Sequence, residues 1–244
     1  AGGEFLRLAP FRYMTTELTP GGARIIRHDS KPAAKPKLSK GDRELLLAME
    51  RHLDGCFGKA ERFVFHELFS PTVHVDVHVI PPSAAHPYVR LVTCGMAERP
   101  MTVPAEFGYS PYAELTIALP ADWPIRKMVR KRRAGWPLQV LQELARLPHD
   151  HSTHLWDGHT APWGEPFAAD TQMSSLIVLP PEQAPDGFDE FAYRGKKVNI
   201  LGLIPLHEGE LQLCLNEGVD ALVDRLDAAG VTDVVDPRRP SVVA

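Results

Sequence analysis

"KVNILGLIPL", residues 197–206, is apolar at every position beyond Asn199. A strand with one wet face alternates polar and apolar side chains, whereas a strand apolar on both faces is covered on both sides. The stretch therefore reads as the central strand of a sheet that carries a layer on each face. That reading places the remaining segments of the chain around it.

Two helices follow directly, "HEGELQLCL" at 207–215 and "GVDALVDRLDAA" at 218–229. Before it, "SSLIVL" (174–179) and "FDEFAYR" (188–194) read as strands, and residues 148–172 as irregular, being rich in His, Gly and Pro. A helix is predicted from about Trp136 to Arg146, with Pro137 in its first turn and Leu138, Leu141, Leu144 and Ala145 as its buried stripe. Four more strands, "RFVFHELF" (62–69), "TVHVDVHVI" (72–80), "YVRLVTCG" (88–95) and "YAELTIAL" (112–119), are separated by proline and glycine breaks. In the last of them Ala113, Leu115, Ile117 and Leu119 share one face. A first helix is signalled by Ser39 as N-cap, Asp42 completing a capping box, and a stripe of Leu46, Met49, Leu53 and Cys56 that ends at Gly55 or Gly58. Strands in the middle with helices at both ends give an α+β fold with a mixed or mostly antiparallel central sheet flanked by helices.

One domain is expected over residues 38–244. Residues 1–37 form an arm that ends in the Pro/Lys-rich linker "KPAAKPK" (31–37), with one possible strand, "ARIIRHD", at 23–29. The 244 residues, 44% hydrophobic and 24% charged, are ordinary for a globular domain with a sizeable core. A formal charge of −4 exerts no global pull toward nucleic acid or an anionic membrane. No apolar run approaches the roughly 20 residues of a membrane span. The amino end lacks the layout of a secretory signal. Three scattered cysteines point to a reducing cytoplasm and to no disulfide or zinc framework.

Within "VHVDVHVI" (73–80), alternation puts His74, Asp76 and His78 on one face, and His with Asp are zinc ligands. At a rise of about 3.3 Å per residue the outer histidines stand roughly 13 Å apart, too far to share one ion. At most two neighbours chelate, and further ligands must come from the loop His149, His151, His154, Asp157, His159. That set defines a metal-dependent hydrolase reading. The plainer reading makes the row the solvated face of a half-exposed strand, with no metal and no cofactor. "HEGEL" (207–211) fails as a zincin motif because Leu211 stands where the second His must be. "RKMVRKRR" (126–133) is a lone basic cluster that reads as a solvated face or as a meeting point for an acidic protein partner. Asp122 and Glu143 read as surface charges. Nucleophile elbows, Walker loops, dinucleotide fingerprints and deaminase zinc patterns are absent. The residues themselves do not compel an enzyme.

From about 55 to 239 a series of motifs resembles the suppressor-of-fused domain family. They are "VHVDVHVIPP", "YVRLVTCGMAERPM", "YAELTIALPADW", "GWPLQVLQELARLP", "DGHT", "VNILGLIPLHEGEL" and a closing "DPRR", in that order. The resemblance implies a non-catalytic, protein-binding α+β domain. The animal relative holds a zinc-finger transcription factor of Hedgehog signalling in the cytoplasm, clamping its peptide between this domain and a second one. This chain ends soon after "DPRR" and looks like a stand-alone, bacterial-type member. Such members are inferred to be immunity proteins that neutralise a toxin, through a protein partner that is a toxin domain or a peptide segment. A regulator that sequesters a DNA-binding protein is the weaker alternative. The family's peptide contacts lie around the stretch matching Met101–Glu114, which implies Met101, Phe107, Tyr109, Tyr112 and Glu114 as contact residues. Asp76 and His78 line the same surface in this reading, and Gly158–His159 match a structural turn.

Overall fold

The computed structural model describes residues 17–27, 41–59, 62–67, 70 and 72–243. Helix α1 spans Arg43–Phe57, and strands β1 (Phe63–Phe65), β2 (Asp76–Ile80), β3 (Tyr88–Cys94) and β4 (Ala113–Pro120) follow. Helix α2 (Arg132–His151) leads to β5 (Thr160–Pro162), β6 (Ser175–Leu179), β7 (Glu190–Tyr193) and β8 (Lys196–Leu206), and helices α3 (Glu208–Glu217) and α4 (Val219–Ala228) close the fold. The eight strands form one mixed sheet in the order β1-β2-β3-β4-β8-β6-β5, with β7 paired to β8. Among the described strands only β4 and β8 run parallel, from Ala113 opposite Asn199 to Thr116 opposite Gly202.

β8 is the hub that its composition implied. Leu201 and Leu203 enter the core cluster that holds α2 residues Val140, Leu141 and Leu144. Val198 and Ile200 enter a second cluster with α1 residues Leu45, Met49 and Leu53. Ile204 and Leu206 pack with Cys214, Leu222 and Leu226 of α3 and α4. The sheet is thus covered on one face by α2 and on the other by α1 and the α3–α4 pair. Each fully buried aliphatic side chain contributes about 1.5–3 kcal/mol before the entropy of ordering it.

Local chemistry explains the ends of the elements. Asp42, not Ser39, caps α1, its Oδ1 accepting from the N–H groups of Glu44 at 2.8 Å and Leu45 at 3.2 Å; Ser39 lies outside the described residues. The same carboxylate accepts the Tyr193 hydroxyl at 2.6 Å, so the β7–β8 hairpin is tied to the helix start. That hairpin turns on Arg194 and Gly195, both left-handed (φ 49° and 69°), as a two-residue turn of this hand requires.

Several expectations change. α2 begins before Trp136 and runs past Arg146 to a left-handed Ser152 cap, so Pro137 sits in the second turn rather than the first and Pro148 near the end. β5 was not anticipated; it is three residues long and ends on Pro162, which suits the sheet edge it occupies. Of "ARIIRHD", the described part makes only a bridge between Leu18 and Arg24, not a strand; residues 28–29 lie outside the described ones.

The segment after α4 is stapled down at three points. Arg90, without exposed surface, donates to Asp233 at 3.0 Å and to the Gln183 carbonyl at 2.6 Å. Its guanidinium lies over the rings of Tyr88 and Phe188, at 5.0 and 5.3 Å. Val234 then bridges Ala118 in parallel, beyond the point where β8 leaves β4. Further on, Arg239 grips Glu210 at the start of α3. The Glu of "HEGEL" is thus a buried anchor for the closing "DPRR". No helix among the described residues is long and apolar enough to cross a membrane.

Candidate functional site: an aromatic face beside two buried polar networks

The row His74, Asp76, His78 is not a solvated face. All of β2 is buried, with Asp76 8% and His78 1% exposed, because the sheet carries cover on both sides. Asp76 accepts from His74 Nε2 at 2.8 Å and from His66 Nδ1 at 2.9 Å, while the Glu67 N–H binds its Oδ1 at 3.1 Å. His74 Nδ1 lies 3.0 Å from Ser70 Oγ, which completes a Ser70–His74–Asp76 row. That order is the order of a hydrolytic triad, but its chemistry is closed. The Ser70 hydroxyl donates to Glu67 at 2.5 Å, so it offers His74 a lone pair and no proton, and Ser70 is 3% exposed. Glu67 in turn accepts the Val75 N–H at 2.9 Å and pairs with Arg146 of α2. The network fastens the entry of β2 to α2.

Nor does the histidine loop converge on this row. His149 Nε2 meets the Met96 carbonyl at 2.9 Å. His154 and His159 face each other at 5.1 Å between ring centroids. Among the described residues no three His, Cys, Asp or Glu side chains are placed to hold a metal ion. His78 and His159 are held near 4 by burial; Asp76 opposes that for His78, and His154 adds to it for His159.

A second network surrounds Glu114, which has no exposed surface. Its carboxylate accepts the Thr93 hydroxyl at 2.6 Å and the N–H groups of Gly95 (2.8 Å), Met96 (3.3 Å) and Ala97 (3.0 Å). Burial pushes its pKa up and those bonds pull it back, with burial prevailing. Gly95 is indispensable there, because at φ 141° a Cβ would stand 1.8 Å from the His74 carbonyl oxygen. The "CGMAE" turn is therefore braced from β4 and from the residues entering β2.

These placements divide the seven expected contact residues. Glu114, Asp76 and His78 are buried as described, and Met101 is 4% exposed, receiving the Leu155 N–H at its sulfur. None of the four presents an open side chain, because each fills or braces the sheet. Tyr112 is half-buried against the α1-side cluster, its hydroxyl accepting from Lys196 at 2.6 Å. Phe107 and Tyr109 do come together. A short 3-10 turn, Ala105–Phe107, ends in left-handed Gly108, and the two rings stack at 5.6 Å. Tyr109 also lies flat on Trp156, at 4.1 Å with 1° between planes. His154 tucks in beside both Phe107 and Tyr109, at 5.5 and 5.9 Å. Phe107 remains 40% exposed, and Arg24 stands over its ring at 5.4 Å while pairing with Glu106 at 3.6 Å. Burial raises the Tyr109 hydroxyl to about 12.

Trp156 and Arg24 were not foreseen, since they lie far from Tyr109 in sequence. The one sequence signal was a tryptophan set in a polar loop, "HLWDGH". The assembly is a stacked, amphipathic, partly open aromatic face with the Arg24 cation at its rim. Such surfaces suit protein contact, because they bury large area with few torsions to freeze.

Comparison with known proteins agrees with this fold. The family described as Suppressor of fused protein (SUFU) matches residues 71–240. A crystal structure of a SUFU homologue from Neisseria gonorrhoeae FA 1090 superposes with TM-score 0.64 at 16% identity, covering 83% of this chain and 99% of that one. The Sufu–Fu complex superposes at 0.61 with 17% identity, over 85% of this chain and 93% of that one. Drosophila Suppressor of Fused gives 0.61 at 16% identity, over 85% of this chain but 52% of that one. Immunity protein YqcF of Bacillus subtilis (strain 168) is 31% identical over 77 residues, which is 32% of this chain and 40% of that protein. The match thus spans less than half of that curated relative.

Proposed function

The chain belongs to the suppressor of fused family, and from that premise we propose that it is a non-catalytic protein-binding domain, an immunity protein that neutralises a partner bacterial toxin in the cytoplasm of the producing cell. The observation that carries the reading is the aromatic face of Phe107, Tyr109 and Trp156. It is preformed, so little conformational entropy is lost when a partner covers it. Met101 and Glu114 take part indirectly in this account: both are buried at the base of the loop that displays Phe107 and Tyr109, the Met101 N–H bonding the Pro111 carbonyl at 2.8 Å. Tyr112 contributes a separate contact at most, since it packs on the α1 side.

Two further likenesses support the choice. One relative is named an immunity protein, and one structure of this fold is a complex of Sufu with Fu. The metal-hydrolase alternative draws no support from the geometry of Ser70, His74 and Asp76, whose proton and lone pairs are already engaged. Residues 1–37 serve as an arm and 38–244 as the domain in this proposal, a reading that the contact of Arg24 with the Phe107 ring supports.

The test is co-expression with a toxin domain encoded beside this gene. Wild type restores growth, and Phe107→Ser with Tyr109→Ala does not, while both proteins melt at the same temperature. Protection by the double variant equal to wild type rejects the face, and absence of protection by wild type rejects the immunity role.

A further inference from the structure

The basic cluster at 126–133 takes no part in the aromatic face, and its structure gives it a function of its own. Residues Ile125–Lys127 form a 3-10 turn that continues through Met128 N–H to Ile125 O (3.0 Å) and Arg130 N–H to Lys127 O (3.0 Å). Met128 is buried in the α2-side core at 4% exposure, and its carbonyl lies so close to Gly135 that a Cβ there would stand at 2.2 Å. The segment is therefore clamped against the first turns of α2. The clamp turns the next side chain outward: Val129 is 72% exposed, the most open of the large hydrophobic residues among those described. Beside it runs a groove of about 370 Å³, lined by Val129, Arg130, Lys131, Leu138, Gln142 and Glu143, among others.

Part of the positive charge around that groove has no ion-pair partner among the described residues. Arg133 pairs with Asp170 and Arg146 with Glu67. Arg126, Lys127, Arg130 and Lys131 are exposed and make no ion pair among the described residues. Glu143 is the opposing charge in the groove, and it accepts a hydrogen bond from Gln139 at 2.8 Å. Four free cations on one short segment stand out in a chain of net charge −4.

We propose that this groove binds an acidic protein segment that carries an aliphatic side chain, the side chain packing between Val129 and Leu138 and the carboxylates meeting Arg126, Lys127, Arg130 and Lys131. A polyanion such as nucleic acid is the poorer fit. The groove has no aromatic ring on which a base can stack, a protruding valine does nothing for a phosphate, and the overall negative charge repels a long polyanion at range. A short acidic segment meets only the local field. It is drawn in by the cations, which speed encounter, and held by the aliphatic contact. The groove shares no residue with the Phe107–Tyr109–Trp156 face, so it stands whether or not the chain is an immunity protein.

The experiment uses the full chain and three labelled probes: a 15-residue peptide of mixed Asp, Glu and Leu, an oligoglutamate of equal charge, and a 15-nucleotide single-stranded DNA. Fluorescence anisotropy at low and moderate salt reads their affinities. The leucine-containing peptide binds at least about tenfold tighter than oligoglutamate, and its binding weakens as salt rises. Val129→Ser reduces that affinity roughly tenfold without touching a charge. Arg130→Glu with Lys131→Glu abolishes it, and Phe107→Ser leaves it unchanged. Equal binding of the two peptides, tighter binding of the DNA, or an unaltered affinity in Val129→Ser each overturns the proposal. All substituted side chains are exposed, so matching melting curves confirm that the fold is intact.

Discussion

Arg239 holds Glu210 with two prongs, Nη1 to Oε1 at 2.5 Å and Nη2 to Oε2 at 2.6 Å, around a carboxylate that has no exposed surface. The same carboxylate accepts the N–H groups of His207 at 2.8 Å and Val242 at 2.9 Å, so every lone pair is used. Arg239→Ala leaves a buried charge with only its backbone donors, and the expected loss is about 3–5 kcal/mol in urea unfolding at pH 7. Burial alone pushes Glu210 up, but the bonds from Arg239, Val242 and His207 together hold it below the ordinary 4.5. Its contribution is therefore complete above pH 4.5 and is lost as pH falls through the lower folded value. Glu210→Gln removes that acid-limb component, which pH-dependent urea titration reads directly.

Histidine titration acts in the adjoining pH range. His78 and His159 titrate near 4 in the folded protein and near 6.5 when unfolded, so the unfolded chain binds more protons between those values. Stability from each is full above pH 6.5 and falls as pH drops toward 4, by about 2 kcal/mol each at pH 5. His78 Nε2 is also buried, with no hydrogen-bond partner among the described residues. His78→Met removes the unpaired nitrogen, so it flattens this limb and is neutral or stabilising at pH 7. A His78→Met protein with an unchanged slope between pH 7 and 5 contradicts the assignment.

Glu114 braces the 95–97 turn from β4. Glu114→Ala strands the buried N–H groups of Gly95, Met96 and Ala97 and is expected to cost at least 2–3 kcal/mol. Hydrogen exchange at those amides rises correspondingly. Unchanged protection there removes the role.

Asp42 joins two elements at once. Asp42→Ala removes the α1 cap and the Tyr193 bond, with an expected loss of about 1–3 kcal/mol and faster exchange of the Glu44 and Leu45 amides. Asp42→Asn retains the cap and loses the smaller share.

How much of this was legible follows from the range of each interaction. Alternation in Ala113–Leu119 and the unbroken apolar run of Ile200–Leu206 are local signals, and both strands appear where they were read. The burial of Asp76 and His78 is not local. It follows from α2 packing on β2 and from His66, Glu67 and His74 closing over Asp76, and a polar–apolar alternation cannot distinguish a wet face from a buried polar network. Glu210 shows the same limit, because its partner Arg239 stands 29 residues away in "DPRR", a motif read only through the family resemblance and not as a partner of "HEGEL". The loop of 105–109 was singled out through a family likeness, while its stacking partner Trp156 arrives only through the left-handed end of α2 at Ser152. The ends of α2 shifted because Pro137 reads as a first-turn residue and 148–172 as irregular, whereas α2 runs through both Pro137 and Pro148 with Val140, Leu141 and Leu144 packed in the core.

The aromatic face has a spectroscopic signature independent of any partner. Tyr109→Ala uncovers the Trp156 ring, so its emission shifts to the red and its quenching by iodide increases, while the melting temperature stays close to wild type. An unshifted emission means that the stack does not shield Trp156.

The measurement that bears most directly on the proposed role is calorimetric titration of the full chain with a candidate partner toxin domain. The account predicts a one-to-one complex of nanomolar affinity, weakened at least about a hundredfold by Phe107→Ser with Tyr109→Ala, while the variant unfolds at the wild-type temperature. A toxin domain that does not bind, or binds the double variant as tightly as the wild type, contradicts it.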